Sequence, residues 1–225
     1  MKARIAEVFE SIQGEGLYLG ERQLFVRFFG CNLSCRFCDT KLDRFSEYEP
    51  QELFKEIKLY DHGLHSISFT GGEPLLQAVF LKKILRMTSE AGYKNYLESN
   101  GMLWGELKQV IDYVDIIAMD IKLPSSSGMG NLWSFHRRFL EVASQKEVFL
   151  KSIITQETAQ DEMRQALDLI KEVNKAAVLV LQPNSYEEYE GGLLKEKLEN
   201  FKNISLEHGV TSCIIPQIHK MVGVK

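Results

Sequence analysis

The sequence predicts an α/β fold: a partial, open parallel β/α barrel of about six units, forming a single domain over residues 1–225. Three observations predict it. Short, mostly apolar runs recur along the chain, stretches with a period near 3.6 separate them, and successive runs start about 20 to 45 residues apart. Such alternation implies right-handed βαβ crossovers and a parallel sheet covered by helices. Six or so units are too few to close an eight-stranded barrel, which leaves a partial barrel or a doubly wound sheet. In either, a functional site gathers beyond the C-terminal ends of the strands.

The elements follow in order. QLFVRFF (residues 23–29) is apolar with aromatic residues and ends at Gly30, and PQELFKEIKLY then carries helical period. SISFT (66–70) runs into Gly71-Gly72, and the helical stretch AVFLKKILRMTSEAG stops at Gly92, a normal C-terminal signal. NYLES (95–99) and DIIAMDIK (115–122) are the next strands, and PSSSGMG (124–130) is rich in turn residues and reads as a mobile loop. The helical stretches SFHRRFLEVASQ, DEMRQALDLIKEV and LLKEKLENFKNISLEHG alternate with the strands EVFLKSII (147–154), AVLVLQ (177–182) and SCIIP (212–216), the last helix stopping at Gly209.

Composition narrows the class. At 225 residues, with 44% apolar and 26% charged, the chain can bury a core of its own and is neither disordered, collagen-like nor a coiled coil. The 27 cations and 31 anions leave a net charge of −4, which gives no footprint of a nucleic-acid or anionic-membrane binder and favours a small-molecule or protein partner. The longest apolar run, residues 176–181, is far short of a membrane span. The start, MKARIAEVFESIQGEG, has neither an apolar h-region nor a cleavage site, so the expectation is a cytoplasmic protein in a reducing compartment.

In that compartment Cys31, Cys35 and Cys38, with Cys213 far away, do not read as a disulfide framework. The triplet GCNLSCRFCDT has C-x3-C-x2-C spacing directly after a strand. No further Cys or His follows at zinc-finger or ribbon spacing, so three thiolates fit iron better than a structural zinc knuckle. Three cysteines on a [4Fe–4S] cube leave one iron open to a substrate or cofactor. Cys213, alone beside Ile214-Ile215, reads as a small core residue.

The triplet, with Phe37 before its last cysteine and Thr70-Gly71-Gly72-Glu73-Pro74 after the next strand, resembles the radical S-adenosylmethionine superfamily. Glycines in that second motif let the backbone approach a cofactor closely, although a tight strand-to-helix turn would need them too. The wider set of motifs, ESIQGEG, TGGEP, ESNG, DIKLPSS, LQPN and PQIHKMVGVK, runs nearly end to end and resembles the 7-carboxy-7-deazaguanine synthase family. That resemblance implies a reduced barrel, usually a homodimer, and a role in queuosine and deazaguanine biosynthesis, a tRNA modification pathway. It implies a lyase that converts 6-carboxy-5,6,7,8-tetrahydropterin to 7-carboxy-7-deazaguanine with loss of ammonia. The cofactors implied are a [4Fe–4S] cluster, S-adenosylmethionine and Mg²⁺, with electrons from a flavodoxin- or ferredoxin-type donor. A 5′-deoxyadenosyl radical would take hydrogen from C6 of the pterin.

Residue by residue, the resemblance places Cys31, Cys35 and Cys38 on the cluster and Thr40 on Mg²⁺, although a lone Thr is also a common turn or cap residue. It places Phe37, Cys38, Asp39, Gly72, Glu73, Asn100, Lys122, Pro124 and Ser125 at S-adenosylmethionine. The substrate side takes Ile12, Gln13, Gly14, Glu15, Arg27, Thr70, Gln182, Gln217, His219 and Lys225. Physical chemistry supports Arg27: a planar guanidinium matches a carboxylate, and an idle charge in an apolar strand is costly, though a strand-edge ion pair would also satisfy it. His219 and the terminal carboxylate of Lys225 have the family's spacing, while His62, His65, His136 and His208 fall in apparent turns or on polar helix faces.

Three alternatives remain open at this level: a radical lyase acting on queuine, an activase for a glycyl-radical enzyme, and a non-catalytic metal-binding module. The activase usually needs a further cluster domain, for which the chain has no cysteines.

Overall fold

The computed structural model describes residues 1–40, 42–60, 63–187, 192–218 and 220. The first part of the chain forms β1 (Ala3–Ile12), β2 (Arg22–Phe28), β3 (Ser46–Tyr48) and α1 (Pro50–Ile57). Then β4 (Ser66–Gly71), α2 (Ala78–Glu90), β5 (Asn95–Ser99), α3 (Trp104–Val110), β6 (Ile116–Asp120), α4 (Pro124–Ser127) and α5 (Trp133–Ala143) follow. The last elements are β7 (Glu147–Ile154), α6 (Gln160–Val173), β8 (Leu179–Pro183), α7 (Leu193–His208) and β9 (Ser212–Ile214).

Among the described residues the strands make one nine-stranded sheet in the order β3-β1-β2-β4-β5-β6-β7-β8-β9. From β2 to β9 every neighbouring pair is parallel, and β1 joins β2 and β3 antiparallel. The two ends of the sheet, β3 and β9, are not paired with each other, so the barrel stays open. This is the partial barrel, one of the two architectures that the alternation of runs allows and the one that the family resemblance implies.

Side-chain alternation along the strands gives the sheet two different faces. One face carries Val26, Phe69, Leu97, Ile117, Leu150 and Leu179, which pack with Leu81, Leu107, Phe139, Leu167 and Phe201 of the covering helices in the main core. The other face lines the barrel interior. At its lower end Tyr96, Ile116, Ala118, Phe149 and Val180 form a separate apolar cluster with Cys213 and Ile215. Cys213 thus packs as a half-buried interior residue, apart from the cysteine triplet.

No strand of the sheet fills that interior. The connection between β1 and β2 does: its 3-10 turn (Gly16–Tyr18) drives Tyr18 into the cluster, edge-on to Tyr96 at 5.7 Å, with its hydroxyl donating to the Glu147 carboxylate. The connection is closed on itself by Gly20 N–H to the Gln13 carbonyl at 2.9 Å. Gly16 has φ +68° and lies where a Cβ would be 2.7 Å from the Phe149 ring.

The structure adds β1, β3 and α3 to the elements read from the sequence and departs from that reading in two further places. β1 and β3 had no clear period-2 signal: β1, ARIAEVFESI, interleaves charges with apolar residues because only part of it faces the core. Residues 124–127 form α4 rather than a mobile loop. Pro124 supplies the first helical φ, the hydroxyls of Ser126 and Ser127 bond back to the Leu123 carbonyl, and Gly128 closes the turn at φ +73°. His136 is fully buried on α5 rather than on a polar face, and burial together with Lys122 pushes its pKa down to about 4. His62 lies outside the described residues.

Gly16→Ala tests the interior plug. The left-handed backbone and the clash with a buried ring predict a loss of about 1 to 3 kcal/mol in urea unfolding of the cluster-free protein; a variant as stable as wild type would contradict that packing.

Candidate active site

At the C-terminal ends of the strands lies a cavity of about 380 Å³. Its position is the one the parallel topology requires, since the loops that follow the strands converge there.

The cysteine loop is fastened to the end of β4 by backbone alone. Gly72 N–H donates to the Phe28 carbonyl at 3.0 Å and Glu73 N–H to the Gly30 carbonyl at 2.9 Å. A Cβ at Gly72 would lie 2.0 Å from the Gly30 carbonyl oxygen, so only glycine fits. Cys31, Cys35 and Cys38 then all line the cavity. Leu33 N–H and the Asn100 side-chain amide approach the Cys31 sulfur at 3.4 and 3.8 Å. From the other side α4 supports the loop: Arg36 N–H donates to the Ser127 carbonyl at 2.9 Å.

Three soft thiols with N–H donors around the first suit an iron–sulfur cluster. Among the described residues no three His, Cys, Asp or Glu side chains are gathered around one point as ligands of a single ion.

Glu73 is fully buried behind the cavity wall. Its carboxylate accepts from Leu75 N–H (3.1 Å), Asn100 N–H (2.8 Å) and the Ser99 hydroxyl (3.1 Å). Burial nevertheless pushes its pKa up to about 7, against the pull of those donors. Asn100 is turned toward the cysteine loop, donating to the Asn32 side chain at 2.8 Å.

A buried row of charges crosses the opposite wall. Lys151 on β7 donates to Glu15 at 2.5 Å and lies 3.7 Å from Asp120, whose other oxygen accepts from Lys122 at 2.6 Å. Lys122 then stands 5.3 Å over the Phe37 ring. Burial would lower the pKa of Lys151, but Glu15, Asp120 and Glu98 together hold it well above the ordinary lysine value. Glu98 accepts from Gln13 (3.0 Å) and Thr70 (3.0 Å).

The C-terminal segment closes one side. Gln217 donates to Glu15 at 2.5 Å and to Asp39 at 3.1 Å, and Lys220 pairs with Asp39 at 2.5 Å. Burial raises the pKa of Asp39, and Lys220 and Gln217 more than offset it.

Of the residues singled out in the sequence, the cavity brings together Ile12, Gln13, Gly14, Glu15, Arg27 and Thr70 with Phe37, Asp39, Thr40, Gly72, Asn100, Lys122 and Gln217. Arg27 is there, but it also pairs with Glu7 at 3.4 Å and stacks over Phe9 at 5.4 Å. The Thr40 hydroxyl donates to Asp39 at 3.2 Å. Glu73, Pro124 and Ser125 do not line the cavity: Glu73 is buried behind it, and the Ser125 hydroxyl and N–H are taken by Glu162 at 2.6 and 2.9 Å. Gln182 is buried beside Ile153 with both amide atoms unpartnered, and is not in the lining. His219 and Lys225 lie outside the described residues.

The sequence reading missed Glu98, Ser99, Asp120, Lys151 and Lys220. The first, third and fourth are charges in otherwise apolar strands, the signal that marked Arg27.

Comparison with known proteins agrees with this geometry. The sequence profile of the Radical SAM superfamily matches residues 25–191. The chain is 37% identical to 7-carboxy-7-deazaguanine synthase from Geobacter sulfurreducens, over 98% of this chain and 97% of that protein. It is 32% identical to the Archaeoglobus fulgidus protein of the same name over the whole of both. In fold it is similar to QueE from Escherichia coli, with TM-score 0.66 at 16% identity, covering 95% and 93% of the two chains. It is also similar to a radical SAM methyltransferase from Sphaerobacter thermophilus, with TM-score 0.62 at 14% identity, covering 87% and 66%.

The raised pKa of Glu73 has a signed consequence. The folded protein holds this proton more tightly than the unfolded chain, so the stability it confers is full below the ordinary glutamate value. It is lost as pH rises from about 4.5 to about 7. The unfolding free energy of cluster-free wild type relative to Glu73→Gln should therefore fall across that window; a flat difference would show that Glu73 titrates normally.

Proposed function

The chain belongs to the radical S-adenosylmethionine superfamily and, within it, to the 7-carboxy-7-deazaguanine synthase family, and from that premise we propose that it converts 6-carboxy-5,6,7,8-tetrahydropterin to 7-carboxy-7-deazaguanine with loss of ammonia. One observation carries the reading: the three cysteines and Arg27 line the same cavity.

Cys31, Cys35 and Cys38 would hold the [4Fe–4S] cluster, and Gly72 and Asn100 would receive the methionine end of S-adenosylmethionine, with Glu73 behind the wall holding the Asn100 N–H. When bound, these groups supply the electron and the carbon-centred radical that takes hydrogen from the substrate. The rest is positioning and shielding by the chain. Arg27 offers a planar guanidinium to the pterin carboxylate, exchanging its bond to Glu7 for the substrate's. Glu15 and Glu98 present carboxylates from two sides to the N–H donors of the pterin ring, and Gln13 and Thr70 hold Glu98 in place. The C-terminal segment excludes water on the side of Asp39.

We propose further that Thr40, at the cavity rim beside Asp39, contributes a hydroxyl to Mg²⁺ whose other ligands are substrate and water. Homodimerisation, a flavodoxin- or ferredoxin-type electron donor and a place in the queuosine route to modified tRNA rest on the family resemblance. No helix among the described residues is long and apolar enough to cross a membrane. The proposed location is the cytoplasm, where thiols stay reduced, and the acidic balance of the chain supports no direct contact with nucleic acid.

Anaerobically reconstituted protein with dithionite, S-adenosylmethionine and carboxypterin should yield 7-carboxy-7-deazaguanine. Turnover of queuine or of a partner protein instead would sink the assignment. Cys31→Ala, Cys35→Ala and Cys38→Ala should each abolish the iron absorbance and cofactor cleavage, while Cys213→Ala keeps both; a colourless Cys213→Ala protein would overturn that partition. Arg27→Lys keeps the charge but loses the fork, so the Kd for carboxypterin should rise by roughly 100-fold with cofactor cleavage intact. Wild-type affinity would remove Arg27 from the site.

A further inference from the structure

Glu15 stands in the connection that plugs the barrel, so its position is set by that connection and by whatever holds its carboxylate. Among the groups that hold it are Lys151 on one oxygen and Gln217 on the other, each at 2.5 Å. They differ in rigidity. Lys151 grows from the middle of β7, hydrogen-bonded on both sides to β6 and β8, and its side chain is only 11% exposed. Gln217 belongs to the chain beyond β9, outside the sheet.

A buried lysine is costly unless it is paired, and this one points into a cavity between Glu15 and Asp120. Asp120 already has Lys122 at 2.6 Å, against 3.7 Å to Lys151. The Lys151 charge is therefore committed chiefly to Glu15.

We propose that Lys151 is a positioning residue of the substrate pocket: anchored in the sheet, it fixes the Glu15 carboxylate, and with it the connection at residues 13–20, in the orientation that receives the N–H edge of the substrate. This rests on the reading of the cavity as a carboxypterin site. Lys151 lines the same cavity, and in this role it acts through Glu15.

The test uses reconstituted holoenzyme with S-adenosylmethionine and compares Lys151→Met, Lys151→Arg, Glu15→Gln and the double variant Glu15→Gln/Lys151→Met. Removing the cation takes away the group that ties the half-buried Glu15 carboxylate to the sheet, so Lys151→Met should raise the Kd and KM for carboxypterin by roughly 30- to 100-fold. The Kd for S-adenosylmethionine should move by less than about threefold, because Lys122 keeps Asp120 at 2.6 Å when Lys151 is removed, and more 5′-deoxyadenosine should be released per product. Lys151→Arg should recover most of the pterin affinity. The double variant should bind no worse than Glu15→Gln alone, because two residues acting as one unit are not additive. Without any ligand, Lys151→Met should show faster amide hydrogen exchange over residues 13–20 than wild type.

Wild-type pterin affinity with unchanged exchange in Lys151→Met would overturn the proposal, as would losses that multiply in the double variant. If Lys151→Met does not fold, Glu15→Gln/Lys151→Met, which removes the stranded carboxylate, should fold; failure of both, with Lys151→Arg also binding no pterin, would mark Lys151 as a structural residue and overturn the proposal. If wild-type enzyme proves inert with carboxypterin, the functional reading fails, while the exchange experiment still decides whether Lys151 holds the connection.

Discussion

The site depends on one place where two backbones meet with no room for a side chain. Gly72, at the end of β4, lies so close to the Gly30 carbonyl that any Cβ would overlap it, and the two hydrogen bonds across that contact join the end of β2 to the turn after β4. Cys31 is the next residue after Gly30, so the position of the cysteine loop is set by main-chain geometry before any cofactor arrives. Glu73 is the next residue after Gly72, and its buried carboxylate gathers N–H groups from its own turn and from the end of β5. Asn100 then reaches back to Asn32 and Cys31. Three strand ends are locked in sequence, each through a short contact that tolerates few side chains.

The polar interior above this lock explains how a pocket full of charge can exist inside a small sheet. Each charge on the inward face has an opposite charge or several donors within reach: Lys122 with Asp120, Lys151 with Glu15, Glu98 with Gln13 and Thr70. A single unpaired member would be expensive, whereas the complete row is rigid because every member constrains the next. Such a row adds little to stability over an apolar core of the same volume, so its presence at the strand ends points to function.

Much of the fold was legible in the sequence because parallel strands buried on both faces read as apolar runs at helix-sized intervals. NYLES and EVFLKSII coincide with β5 and β7 to the residue. β1 was not legible, since an antiparallel strand exposed along much of its length has no continuous apolar run. α4 was not legible either: Pro, Ser and Gly favour turns locally, and it is Glu162 from α6 and the fit of Arg36 against Gly128 that make the helix. Within the site, motif residues were readable by resemblance and spacing, but pairing was not. Lys151 within the apolar part of EVFLKSII announces a partner without naming it, because Glu15 is 136 residues away and meets it only after the chain has crossed the barrel. A still longer separation along the chain hides Lys220 from Asp39.

The open barrel and the substrate pocket have a common solution. A sheet that does not close leaves its interior exposed on one side, and an apolar interior such as Tyr96, Ile116, Phe149 and Val180 must be covered. Here the cover is the connection between β1 and β2, with Tyr18 as its apolar anchor and Gly16 allowing it to press on Phe149. Gln13, Gly14 and Glu15 lie on the same connection a few residues earlier and line the cavity. The segment that completes the core is therefore also the wall of the pocket, and its placement is set by apolar packing at one end and by the Lys151 ammonium at the other. That arrangement gives the pocket wall the rigidity of the core without requiring further strands, which is how a chain of 225 residues combines an open sheet with a closed, charged site.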